Sequence, residues 1–317
     1  MKLKDFYARA VEHGQKQDPR GKKGIAQELE RLKTNYEEMS EKKKDKFDKE
    51  RLNNPYADTR ILYGDPNADI KTVLLGIDME VGELLLADRL REKGKKIDLV
   101  VSHHPEGKAH ANFFQVMYMQ ADILNKYGVP INIAEGILDD RIREVERKVL
   151  PANHNRAVDT AKLLDIPFMC VHTPADNCVV AFLQEIIDDK KPYLVKDVVK
   201  IIEDIPEYKH EEANNVCPKV VAGKENNRAG KIFVDMTGGT EGPEKMFQYL
   251  AQAGVGTVVC MHLSEKHIQE AAKQNINAVI AGHIASDNLG LNLLVDEIAK
   301  GENLEIIACS GFYRVER

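Results

Sequence analysis

Eight short runs rich in β-branched residues, most of them separated by stretches long enough for a helix, constrain this chain more than any other feature. They are Thr72 to Asp78, Asp98 to Ser102, Pro130 to Ala134, Pro167 to His172, Lys231 to Met236, Thr257 to Met261, Ala278 to Ala281 and Leu304 to Cys309. Strand-then-helix alternation builds βαβ units whose sheet is covered by helices on both faces, so the expected fold class is α/β. At 317 residues the chain has about two domains' worth of length, enough for a sizeable core.

Ahead of these runs, Leu3, Phe6, Tyr7, Ala10 and Val11, then Ile25, Leu29, Leu32 and Tyr36, recur at helical spacing with a break at Asp18-Pro19-Arg20-Gly21. Residues 1–60 therefore read as a helical arm, its helices ended by Asn53-Asn54-Pro55. The stripe is too narrow for an independent core, so the arm is expected to dock on the α/β body or on a neighbouring subunit. Between Asp188 and Gly230 the sequence turns polar and charged, which suggests a first α/β half over 61–187, a connecting segment over 188–230 and a second half over 231–317.

Charge narrows the function classes. The net charge of −6 hides an asymmetry: residues 1–52 hold 15 Lys/Arg against 11 Asp/Glu, a balance of +4, leaving −10 on the rest. An acidic body argues against a nucleic-acid groove, and the cluster Lys42-Lys43-Lys44-Asp45-Lys46 reads as a solvated helix face. Every apolar run is broken long before ~18 residues, which excludes a helical membrane span. The first residues lack the apolar core of a secretory signal, so a cytoplasmic location is expected. Cys170, Cys178, Cys217, Cys260 and Cys309 are odd in number and form no CxxC pair, which points to reduced thiols rather than a disulfide framework or a zinc ribbon.

Functional groups in open α/β sheets collect beyond the carboxyl ends of the strands. Three such ends carry ligand-type residues. The run Asp98 to Ser102 leads into His103-His104-Pro105-Glu106-Gly107, the run ending at Val171 leads into His172-Thr173-Pro174-Ala175-Asp176, and Ala278 to Ala281 leads into Gly282-His283-Ile284-Ala285-Ser286-Asp287. His283 and Asp287 are four apart, which on an opening helical turn places them on one face. Alone, each element is weak, since a His pair is usually an exposed loop and a strand-end Asp is usually a cap. Together they can hold two divalent ions sharing carboxylates, and imidazole with carboxylate and no thiolate suits Zn, Mn, Fe or Ni.

The segments Asp98 through Pro105, Val171 through Asp176, and Ile280 through Gly290 resemble, in order, three signature segments of the Nif-three-like family, often described as GTP cyclohydrolase 1 type 2. The resemblance runs from about Arg60 to the C-terminus. It implies two similar α/β halves that both contribute to a dinuclear metal site, a homohexameric ring, and a metal-dependent hydrolase whose family reaction is ring opening of GTP. The ligands it implies are His103, His104, Asp176, His283 and Asp287, with the carboxylates bridging. This chain departs from the pattern where Asp287 replaces the usual Glu, where Pro174 stands in an otherwise HTNLD-like segment, and where a GE-containing segment has become Met261-His262-Leu263-Ser264-Glu265-Lys266-His267.

Beyond these ligands, Glu106 and His110 are candidates to move protons beside a metal-bound water, and Asp78, His172, His262 and His267 are candidates to orient ligands from behind. Gly238, Gly239 and Thr240 follow the run Lys231 to Met236 ahead of a helical pattern, so their amides are a candidate anion cradle. The leading function is a two-metal hydrolase acting on a nucleotide-like or phosphate-bearing small molecule. Its rival is a non-catalytic metal-binding or regulatory protein whose arm recruits a partner.

Overall fold

A computed structural model describes all of residues 1–317. Two sheets organise it. The first contains β1 (Arg60–Tyr63), β2 (Thr72–Gly76), β3 (Leu99–Ser102), β4 (Phe168–Cys170) and β9 (Glu305–Cys309) in the order β1-β4-β3-β2-β9. The second contains β5 (Lys219–Ala222), β6 (Lys231–Asp235), β7 (Val255–Cys260) and β8 (Asn277–Ile280) in the order β5-β8-β7-β6. Within each sheet the strands run parallel except one edge strand: β1 is antiparallel to β4, and β5 to β8. The two halves thus share one plan, an α/β architecture.

Side-chain alternation along the strands separates the layers. In the first sheet Val73, Leu75, Leu99 and Val101 face one way, toward α1 (Leu3–Gln17), α9 (Thr173–Lys190) and α14 (His283–Ile298). Leu74, Val100 and Phe168 face the other way, toward α4 (Val81–Glu92) and α8 (Arg156–Leu163). In the second sheet Ile232, Val234, Val259 and Val279 pack on the opposite faces of α9 and α14 and on α10 (Val195–Glu203) and α11 (Pro206–Glu212). Phe233, Val258 and Ala278 face α6 (Met119–Tyr127), α7 (Ile131–Val149), α12 (Met246–Gln252) and α13 (Glu265–Lys273). Helices α9 and α14 therefore lie between the two sheets, each feeding two cores. None of the helices is long and apolar enough to cross a membrane.

Three expectations are corrected here. Pro130 to Ala134 is not a strand but the start of α7, because the apolar period continues at Leu138, Ile142, Val145 and Val149, all buried on one face. The strand Leu304 to Cys309, assigned by position to the second half, crosses back and pairs in parallel with β2 of the first sheet. The segment 188–230 is more than a connection: it supplies α10, α11 and β5, the antiparallel edge of the second sheet.

The arm is docked on the body. Leu3, Phe6, Ala10 and Val11 are buried, and α1 lies so close to α9 that a Cβ on Gly14 would meet the Pro174 side chain at 2.6 Å. Helix α2 (Gly21–Glu37) buries only Ile25 and Leu32, and the one-turn α3 (Glu41–Lys44), which holds three of the lysines, has no buried residue.

Candidate metal centre

Helices α9 and α14 bring the site together. Their crossing is tight because Gly290 has no side chain: a Cβ there would stand 2.5 Å from the Ala175 carbonyl oxygen and 2.8 Å from Val179. Gly282 precedes α14 at φ +118°, a region that favours glycine, and lets the chain turn directly from β8 into the helix. Asp176 in the first turn of α9 and Asp287 in the second turn of α14 are thereby held side by side, next to the His103-His104 turn that follows β3.

The resulting distances define a cluster. His103 Nε2 is 3.5 Å from Asp176 Oδ1 and 3.4 Å from Asp287 Oδ1. His104 Nε2 and His283 Nε2 lie 3.5 and 3.6 Å from Asp287 Oδ2. Three overlapping groups have ligand atoms within 4.8 Å of one another: His103 with His104 and His172, His104 with His283 and Asp287, and His103 with Asp176 and Asp287. The structure thus brings together all five of His103, His104, Asp176, His283 and Asp287, and adds His172 to them.

Three of the imidazoles are held in one way. His103 Nδ1–H donates to the Val171 carbonyl at 3.0 Å, His104 Nδ1–H to Asp78 Oδ1 at 2.6 Å and His172 Nδ1–H to Asp58 Oδ2 at 2.9 Å. A carbonyl only accepts, so His103 carries its proton on Nδ1 and turns a bare Nε2 inward. Such anchoring of the far nitrogen is the usual environment of a metal-ligating histidine.

The cluster has too few hydrogen-bond partners for its burial. His103 Nε2, Asp176 Oδ1 and both oxygens of Asp287 are enclosed and make no hydrogen bond. Orphaned buried polar atoms cost about 1–3 kcal/mol each, more when charged, unless something pairs with them. A divalent cation is the partner this donor set fits: imidazole nitrogens and carboxylate oxygens, all facing one centre. The carboxyls also compete. Burial, then the Asp287 charge, hold Asp176 well above the usual carboxylate range. Burial alone would raise Asp287 too, but the His103 and His104 imidazoles, 3.4 and 3.5 Å from its oxygens, hold it well below that range. Only added positive charge lets both ionise. Against burial, the neighbouring Asp287 and Asp78 carboxylates push His104 up to about 10, while burial lowers His283 to about 4 and also lowers His172.

A narrow cleft opens beside the cluster, with about 50 Å³ into which water fits. His172, Asp176 and His283 form one wall, and Asp235, Thr237, Gly239, Thr240, Glu241 and His262 form the other. The opposite wall includes Gly239 and Thr240 of the candidate anion cradle, which Gly238 precedes. Gln120 Nε2 fastens the loop through the Gly238 and Thr240 carbonyls, α12 does not begin until Met246, and Asp235 and Glu241 flank it, so neither helix dipole nor charge favours an anion.

The remaining candidates separate. The His262 ring lies 5.0 Å from that of His283, and its Nδ1 is 4.0 Å from Glu241 Oε2. His267 is not at the cluster; its nitrogens are occupied by Ser264 Oγ and the Gly242 carbonyl, an arrangement that staples α13 to the 241–243 loop. His110 packs edge-on against His154 and is absent from the cleft walls. Glu106 also lies outside those walls; burial, and next the Glu80 charge, push it up to about 7. Asp58, Asp235 and Glu241 were not singled out by the sequence.

The fold has solved relatives. A NIF3 superfamily protein from Sphaerobacter thermophilus is 28% identical, with a TM-score of 0.70, over 80% of this chain and 91% of its own. The chain has the NIF3-like fold. More distant matches include reduced HcgD from Methanocaldococcus jannaschii, at 18% identity and a TM-score of 0.46 over 79% of this chain and 88% of that one. A Bacillus cereus protein related to NIF3 matches at 13% identity and 0.43 over 80% and 90%. No protein-family model and no curated protein matches the chain. The buried His/Asp groups on this NIF3-like fold can hold a metal ion.

Proposed function

We propose that this protein is a metal-dependent hydrolase that holds two divalent cations, Zn, Mn, Fe or Ni, and acts on a small nucleotide-like or phosphate-bearing molecule. The observation that carries this reading is the set of four enclosed atoms without hydrogen bonds, on His103, Asp176 and Asp287. His103, His104, His283, Asp176 and Asp287 would hold the cations. Asp287 lies between the imidazoles, one oxygen toward His103 and the other toward His104 and His283, so it would serve both cations. Bound there, divalent cations supply an acidified water as nucleophile and a Lewis acid for a substrate oxygen.

The chain's own residues do the rest. Asp78 keeps His104 Nε2 turned inward, and His172 lines the cleft. The narrowness of the cleft admits a reacting group and leaves the bulk of a nucleotide-sized substrate at its mouth. An acidic far wall means that a phosphate is held at the cation end, while Asp235, Glu241 and His262 meet N–H or O–H donors. Assembly as a hexameric ring rests on the family resemblance, and mass in solution tests it.

Metal analysis of protein purified without added ions, joined to a hydrolysis panel of nucleotides and phosphoesters including GTP, tests the reading. His104→Ala and Asp176→Ala should each abolish turnover with the fold intact by circular dichroism. Metal-replete protein that hydrolyses nothing across the panel would instead support the non-catalytic metal-binding reading.

A further inference from the structure

Asp58 lies outside every motif, in the segment Tyr56-Ala57-Asp58-Thr59-Arg60 that leads from the arm into β1. Its carboxylate is fully buried, yet one oxygen gathers three donors: Thr173 Oγ1 at 2.6 Å, His172 Nδ1 at 2.9 Å and the Thr173 amide at 3.4 Å. The backbone on either side is fixed as well. Thr59 Oγ1 accepts from the His172 amide at 3.1 Å, and the buried Arg60 guanidinium donates to the Tyr56 and Thr59 carbonyls and to Asp48. The carboxylate thus holds both Thr173, the first residue of α9, and the imidazole of His172.

We propose that Asp58 is a positioning residue that fixes the proton of His172 on Nδ1 and so makes His172 Nε2 a further donor of the metal centre, on the face it shares with His103 and His104. Three observations support this. His172 brings a ligand atom within 4.8 Å of those of both neighbours. Its ring stacks at a tilt, 4.8 Å from that of His103. With Nδ1 occupied by Asp58, Nε2 is the nitrogen left to face the cleft that His172 lines. The arrangement repeats Asp78 behind His104, so each of two neighbouring imidazoles has its own carboxylate, exposed in Asp78 and buried in Asp58. The segment joining the arm to the body thereby belongs to the site, although it supplies no ligand itself.

This inference rests on the metal reading, and the test separates the two. Two-bond ¹H–¹⁵N correlation spectra of the metal-free protein report the tautomer of His172 directly, with His172→Gln identifying the signal. Zinc affinity is then measured by competition with a chromophoric chelator, and the cobalt-substituted protein reports the donor set by its visible absorption. Wild type should show the Nδ1–H tautomer. Asp58→Asn keeps an acceptor and loses the charge, so zinc affinity should fall about 10-fold. Asp58→Ala should release the tautomer and cost about 10- to 100-fold, with a changed cobalt spectrum. Tyr56→Phe removes the nearby hydrogen bond from Tyr56 to Asp18 without touching Asp58; it should lower the melting temperature and leave zinc affinity unchanged.

An Nε2–H tautomer in wild type, wild-type zinc affinity in both Asp58 variants, or equal losses in Tyr56→Phe and Asp58→Asn would each overturn the proposal. Wild-type protein that binds neither zinc nor cobalt would overturn the metal reading and with it the donor role of His172.

Discussion

Asp235 offers a quantitative test of the cleft. It ends β6 in the cleft wall; no hydrogen bond supports its charge, and burial, with the Glu241 carboxylate nearby, pushes it up to about 7 from the ordinary 3.8. A carboxyl whose pKa is higher in the folded than in the unfolded chain binds its proton more tightly when folded. Stability therefore falls as pH rises from about 4 to about 7 and is level above that. At 1.36 kcal/mol per pH unit the penalty has a ceiling of about 4 kcal/mol, and the part of Asp235 that reaches cleft water reduces it to about 2 kcal/mol. Asp235→Asn removes the charge at nearly constant volume. In chelator-treated protein, urea denaturation should show the variant more stable than wild type by about 2 kcal/mol at pH 8 and by only about half of that at pH 4.5. A variant that gains the same at both pH values, or that loses stability at pH 8, would refute the account, because neither outcome follows from an unpaired buried carboxylate.

Three further outcomes follow from the packing. Phe6→Ala should cost about 3–5 kcal/mol in urea denaturation, and removal of residues 1–52 should lower the melting temperature, since α1 lines the same core as β2, β3 and α14. Gly290→Ala should cost about 1–3 kcal/mol and weaken zinc binding as well, because its methyl would push α14 from the Ala175 carbonyl and move Asp287; unchanged affinity by chelator competition would show that the crossing does not set the site. Saturating wild-type protein with zinc at ~100 times its dissociation constant should add about 2.7 kcal/mol of stability, and a chelator should reverse that gain in a thermal melt.

The comparison of sequence with structure shows which physical signals are local. The gathering of His103, His104, Asp176, His283 and Asp287 into one cluster was legible because each lies within six residues of the end of a β-branched run, and the carboxyl ends of parallel strands are where functional groups collect. The α/β class was legible from the same runs. The sheet that Glu305–Cys309 joins was not, since a parallel partner is chosen by crossover topology and β2 lies more than two hundred residues upstream. Pro130 to Ala134 misled because five apolar-rich residues fit a buried strand and the first turn of a helix equally well; the period becomes decisive only at Leu138 and beyond.

Asp58 was invisible for a related reason. Its neighbours Tyr56, Thr59 and Arg60 are fully buried, yet they have no period of two or of 3.6, and the residue that gives Asp58 its role is 114 positions away. Burial of a polar segment follows from what it pairs with, so it cannot be read where the partner is unknown. Arg60 shows the same logic: an arginine looks like surface in a sequence, but here it holds the carbonyls of Tyr56 and Thr59 and the carboxylate of Asp48. Those bonds fix the backbone that carries Asp58 against His172. The proposed ligands are thus placed by the ends of strands, while the orientation of His172 is set by a segment whose only signal is three-dimensional. Chemistry carried by such a segment is lost when the arm is treated as an appendage, so truncation series on this protein should keep residues 53–60 if the metal centre is to be retained.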